Sequence, residues 1–270
     1  MKKNYLFLIA IIGIISVSGC RNAGERKAEK QADIMTVKTL GLAYLEEFKL
    51  EEAEEQFLHF IELAPNEKLG YANLGLTYLR MSRYDDAEKQ LNKAIKIDPR
   101  DADIRLILAT VHRMNDQKEK AIAELKKALE FSADHVKTLY ELSEVYSTMS
   151  GEDAKKQHHE YTRLLVEKAP GNPVPRLNFT DILIREGDFD AALEQMETIN
   201  RQFPGFPREA VEYYNSTIDL LRKKDKENAI IQFTIFHNYL KVSAPYQAGI
   251  VDLKGPGGSL IGFPVITFDR

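Results

Sequence analysis

A single cysteine, Cys20, among 270 residues excludes an internal disulfide framework, so the fold must be held by packing alone. Tryptophan is absent, and glycine is sparse through the middle of the chain, where Ala, Leu, Glu and Lys dominate. That composition suits helix throughout. There is no excess of positive charge: the formal net charge is −4, which excludes a surface suited to polyanions such as nucleic acid.

Catalytic signatures are missing as well. His158-His159-Glu160 has no His-Glu-x-x-His spacing, and adjacent histidines on a helix point about 100° apart, so they cannot chelate together without a third element. The pairs Glu51-Glu52 and Glu54-Glu55 read as helix-surface charges. Gly255-Pro256-Gly257-Gly258-Ser259 lacks the Gly-Lys-Ser/Thr ending of a phosphate loop, and Ile261 stands where a Gly-x-Ser-x-Gly elbow needs its last glycine. The expectation is a chain that is not an enzyme and holds no metal or dissociable cofactor.

What the sequence does contain is a repeat. Apolar and small residues recur at spacings of three and four, in two groups followed by a proline, about every 34 residues. The cleanest unit has Tyr71, Leu74, Gly75 and Tyr78, then Ala87, Leu91 and Ala94, then Pro99. Each group falls on one face of a helix, and Pro99 stops the second helix near Asp98. Gly75 and Ala87 sit where paired helices would approach closest, so a bulkier side chain there would force them apart. Acidic starts at Asp85-Asp86 and Asp188-Phe189-Asp190 suit helix N-termini. Two such helices cannot bury their own faces and must stack on neighbouring units.

The first copy reads Val37, Leu40, Gly41, Tyr44, Ala53, Phe57, Phe60 and Pro65, and the third Arg105, Leu108, Ala109, His112, Ala121, Leu125 and Ala128. A fourth begins at Leu139, Leu142, Ser143 and Tyr146. A fifth has Phe179, Leu183, Ala192, Met196, Ile199 and Pro204, and a weak sixth has Tyr213, Leu220, Ala229, Phe233 and Phe236. These residues resemble the tetratricopeptide repeat over residues 34–242. The resemblance implies an all-α, right-handed α-solenoid of about six helix pairs, ending in a short irregular or β-type C-terminal tail.

It also implies that the first helix of each pair lines a concave face that binds a protein or peptide partner. The groove-facing residues would be Lys38, Leu42 and Leu45, then Leu69, Ala72, Asn73, Leu76 and Leu79, then Leu106, Ile107, Thr110 and Arg113. Two readings of this apolar row stand open: a patch exposed for binding, or Leu42, Leu76 and Leu79 packed against adjacent helices. Some members of the family grip a C-terminal carboxylate with Lys, Asn, Asn, Lys and Arg. Lys38 and Asn73 match two of those places, but Leu42, Asp103 and Ile107 fill the others, so that clamp is not expected here.

The N-terminus carries the second signal. Met1-Lys2-Lys3 precedes an almost uninterrupted apolar run, Tyr5 to Val17, and Val17-Ser18-Gly19 leads directly into Cys20. Basic, apolar and small, in that order, is the pattern of an export signal, and the run is short for a membrane-spanning helix. It resembles a bacterial lipoprotein signal peptide, residues 1–19, with the diacylglyceryl lipid attached to Cys20. Removing residues 1–19 takes Lys2 and Lys3 and no acid from a net charge of −4, leaving −6. Residues 20–33, polar and charged, read as a flexible tether. The resemblance implies a lipid-anchored protein of the bacterial envelope, at the outer membrane and facing periplasm or surface.

From Ser243 the helical pattern stops, and residues 243–270 are rich in glycine and proline. Tyr246 to Phe268 resembles the junction at which some tetratricopeptide proteins continue into propellers of FG-GAP (VCBS-type) repeats. That leaves two functional expectations: a membrane-anchored scaffold or adaptor, or an accessory module of a propeller-bearing surface protein. Alternatively, the segment folds back over the last helix pair and seals its apolar face.

Overall fold

The repeat spacing translates directly into helix pairs. A computed structural model describes residues 23–254, which form thirteen helices and no strand among the described residues. The first pair is α1 (Ala23–Glu46) and α2 (Leu50–Leu63), and the second α3 (Lys68–Arg80) and α4 (Tyr84–Ile97). The third is α5 (Ala102–Met114) and α6 (Lys118–Phe131), and the fourth α7 (Val136–Ser147) and α8 (Glu152–Lys168). Then come α9 (Pro173–Glu186) with α10 (Phe189–Gln202), α11 (Arg208–Arg222) with α12 (Lys226–Lys241), and α13 (Ala244–Lys254).

The turn is built the same way in every pair but the fourth. Phe48, Ser82 and Asp116 lie 34 residues apart and take φ of 58°, 60° and 57°, with Gly187 at 85° in the fifth pair. The following amide then donates back to the first helix: Lys49 to the Tyr44 carbonyl at 2.9 Å, Arg83 to Tyr78 and Gln117 to His112 at 2.8 Å, and Asp188 to Leu183 at 2.9 Å. A left-handed residue with this bond satisfies the last carbonyls of the first helix and reverses the chain.

Close approach within a pair rests on the missing Cβ. A Cβ on Gly75 would lie 2.7 Å from Leu91 Cγ and 3.3 Å from the Ala87 carbonyl oxygen, and one on Gly41 would lie 2.7 Å from Phe57 Cε1. The approach of Gly75 to Ala87 is the one expected from the sequence, and Gly41 repeats the arrangement 34 residues earlier.

Successive pairs stack. The first helices pack on one another in series, α1 on α3, α3 on α5 and α5 on α7, while each second helix packs on the first helix of the next pair. One core cluster runs from α1 to the start of α8, centred on Phe57, Leu74, Leu91 and Leu125, and another from α7 to α13, centred on Leu177, Met196, Phe233 and Phe236. Beyond α7 the series changes: α9 packs on α12, and α13 packs on α7 and α9.

Two sequence expectations are corrected at the ends. Residues 23–33, expected as a flexible tether, belong to α1, because Ala, Glu, Lys and Gln are strong helix formers that carry the helix on without a proline. The helical pattern also does not stop at Ser243. The Ser243 carbonyl accepts the Gln247 amide at 3.0 Å, and Pro245 stands in the first turn, where a missing N–H costs nothing. Cys20 and residues 1–19, with the expected β-type run Leu260–Phe268, lie outside the described residues.

Candidate functional site

Most of the row that the resemblance names as groove-facing is not solvent-facing. Leu45, Leu69, Ala72, Leu76, Leu79, Leu106 and Ile107 are buried in a single core cluster, none more than 8% exposed. Of the two readings, packing therefore holds for these residues: neighbouring first helices come close enough to close over them. Thr110 is buried too, with its hydroxyl bonded to the Leu106 carbonyl at 3.0 Å. Lys38, Leu42 and Arg113 are half-buried and keep access to solvent.

Asn73 stands apart from this apolar row. Its side chain is fully buried, and neither its amide nitrogen nor its oxygen finds a hydrogen-bond partner among the described residues. An orphaned buried amide costs about 1–3 kcal/mol, and most buried polar groups in folded proteins avoid it.

Arg113 leads to a polar cluster that the sequence reading missed. Its Nε lies 3.4 Å from Oε2 of Glu141 on α7, a carboxylate only 7% exposed. Burial pushes the Glu141 pKa up; Arg113 and Lys254 pull it down, and Glu144 raises it further. Tyr140, also buried, lies beneath Lys254, whose Nζ is 5.3 Å from the ring centroid. The register that selects Leu69, Ala72, Asn73 and Leu76 in α3 selects Lys137, Tyr140, Glu141 and Glu144 in α7, so the same spacing, carried one repeat further, would have found this cluster.

His158 and His159 do not converge. His158 Nδ1 is 2.9 Å from the Ser143 carbonyl, whereas His159 Nδ1 is 2.8 Å from Glu186 Oε2 and its ring stands edge-on to Phe179. Both border an open cleft of about 850 Å³ between α8 and α9. Of the charges there, Lys155 pairs with Glu152 at 2.6 Å and Arg185 with Asp181 at 2.7 Å. No group of three or more potential metal ligands occurs among the described residues. No helix among them is long and apolar enough to cross a membrane.

His237 on α12 lies between Phe233 and Tyr246, each ring 5.7 Å away, and Nε2 has no partner among the described residues. Burial lowers its pKa from 6.5 to about 4; Lys241 lowers it further and Asp181 opposes. The unfolded chain thus takes up this proton first, so the stability of the C-terminal repeats should be full above about pH 6.5 and fall as pH drops towards 4, by about 3 kcal/mol. Thermal melts of wild type and His237→Phe across this range check it. The variant should lose that part of the acid sensitivity, and identical pH profiles would refute the assignment.

Residues 72–135 match the tetratricopeptide repeat model, and residues 39–67 match a second model of the same repeat. Tetratricopeptide repeats are therefore present in this chain. No curated protein matches it. Among solved structures, PilF of Pseudomonas aeruginosa superposes with a TM-score of 0.58 at 18% identity, covering 83% of this chain and 99% of that one. YrrB, described as a TPR protein with an unusual peptide-binding site, gives 0.53 at 21%, covering 73% and 98%. MamA gives 0.52 at 20%, covering 63% and 91%. At these identities the likeness establishes a shared all-α solenoid fold.

Proposed function

We propose that this chain is a lipid-anchored scaffold of the bacterial envelope, which binds a protein partner through the inner face of its helix stack and catalyses nothing. Asn73 carries the reading. Its amide, with two N–H donors and a carbonyl acceptor, is buried and unpartnered, so a peptide segment that parted the first helices to reach it would satisfy groups the free chain leaves orphaned. Half-buried Lys38, Leu42 and Arg113 give that row its exposed edge. The peptide-binding site described for YrrB, on the same fold, supports it by analogy. Cys20 would receive the lipid, on the resemblance of residues 1–20 to a lipoprotein leader. The alternative, an accessory module of a propeller-bearing protein, gains nothing from residues 244–254, which form a helix on the stack.

Asn73→Leu separates a binding role from a structural one. Replacing an unsatisfied amide by an apolar side chain of similar size should leave the melting temperature unchanged or raised. The same variant, tagged and purified from detergent-solubilised membranes, should lose the stoichiometric partner that the wild-type chain retains. A drop of several degrees in melting temperature, with partner capture intact, would assign Asn73 to the fold and defeat the proposal.

A further inference from the structure

The C-terminal helix α13 does not cap the stack by lying over the last pair alone. It crosses to α7 and α9, the first helices of the fourth and fifth pairs. Tyr246, Gly249 and Leu253, at spacings of three and four, form its buried stripe, while Gln247, Ala248, Val251 and Asp252 face solvent. Gly249 is the contact point. Its carbonyl accepts a hydrogen bond from Asn172 Nδ2 at 2.9 Å, and a Cβ there would collide with the Asn172 carboxamide and come within 3.1 Å of Val174 Cγ2. At the far end Lys254 covers Tyr140 and faces Glu141, the carboxylate beside Glu144.

The seat is only partly filled. Beside Tyr246 an apolar cavity of about 100 Å³ is bounded by Pro173, Leu177, Phe203, Phe206 and Leu240. An eleven-residue helix with a central glycine has little stability of its own, and α13 buries three residues to hold itself down. Its removal would leave Glu141 and Glu144 with Arg113 as the cation already facing Glu141.

We propose that the face formed by α7 and α9 is a helix-binding site, filled in the free protein by α13, and that a partner's short amphipathic helix bearing a lysine displaces α13 from it. This rests on the reading of the inner face as the partner-binding surface. The occupant's chemistry is that of α13 itself: an aromatic residue, a small residue three positions on, a leucine four beyond that, and a cation at the end to meet Glu141 and Glu144. A glycine at the second place lets the helix backbone approach Asn172, where a Cβ would collide. Exchange of one helix for another shifts a population by no more than the difference in their affinities, so an internal helix held this weakly is a tunable competitor.

The test uses the full chain and a fluorescein-labelled synthetic peptide of residues 243–254, read by anisotropy. Gly249→Val on the chain alters the docked helix and leaves α7 and α9 intact. The variant should bind the peptide about tenfold or more tighter than wild type, because its own competitor has been removed. A peptide carrying Lys254→Glu should lose about tenfold on the same variant. Equal binding to both chains, no binding to the variant, or indifference to Lys254→Glu overturns the proposal. Hydrogen exchange on the wild-type chain gives an independent reading. Amides of 246–254 should exchange about 100-fold faster than those of 177–184, and faster again with saturating peptide; protection equal to that of α9 overturns it. Because the scaffold reading is tested at Asn73 on α3, failure here with partner capture intact would remove this inference alone.

Discussion

Replacing Phe57 by alanine is expected to cost the first helix pair about 3–5 kcal/mol, the range for removing a fully buried phenylalanine and leaving a cavity. Phe57 on α2 has no solvent exposure, and its ring lies against the backbone of Gly41 on α1, where the absent Cβ makes room for it. The contact gives the prediction a second arm. In the wild-type chain Gly41→Ala should cost about 1–3 kcal/mol, because the new methyl would need the space that Phe57 Cε1 occupies. In the Phe57→Ala background the same change should fall within about 1 kcal/mol of neutral, since the ring is gone and alanine favours the helix. The pair should thus be strongly non-additive. In a stack each pair leans on its neighbours alone, so the loss should stay local. Hydrogen exchange should show residues 37–63 losing protection while residues 177–221 keep theirs. Additive effects, or loss spread evenly along the chain, would contradict the packing described.

Replacing Cys20 by serine is expected to abolish lipid incorporation altogether. A thiolate is needed to take the diacylglyceryl group, and the chain contains no other cysteine to substitute for it. Cells grown with radiolabelled palmitate should yield one labelled product from the wild-type gene and none from the variant. Intact mass should place the mature wild-type N-terminus at residue 20 with the added mass of its acyl groups. The physical stake is large: each buried methylene is worth about 0.8 kcal/mol, and two chains anchor stably where one binds marginally. An uncleaved apolar anchor helix predicts the opposite, an unlabelled wild-type protein retaining residues 1–19, and that result would end the lipoprotein reading.

Much of the stack is legible from spacing. Tyr78, Leu74, Gly75, Ala87 and Leu91 announce a tight helix pair because each interaction lies within one repeat and needs nothing from elsewhere. The reversal at Ser82 likewise depends on neighbours a few residues away. The family resemblance names an inner row, but its exposure is not written in the repeat. Whether Leu76 meets water depends on how closely α1 and α5 approach α3, a distance that no periodicity within α3 encodes. Asn73 shows the same limit: its position in the repeat is evident, while the lack of any partner for its amide follows from everything packed around it.

The two ends differ for related reasons. In residues 23–33 the polar composition suggested a tether, yet helix propensity and continuity with α1 outweigh the absence of apolar contacts there. At Ser243 the glycines and prolines ahead hid one further helix, whose short apolar stripe is too brief to stand out from a turn-rich segment. The sequence by itself determined the helix pairs, their turns and their order, since those are local and repeat. Only the tertiary structure decided that α13 would lie across α7 and α9. The contact that seats it joins Asn172 to Gly249, 77 residues away, and a single long-range close approach leaves no periodic trace.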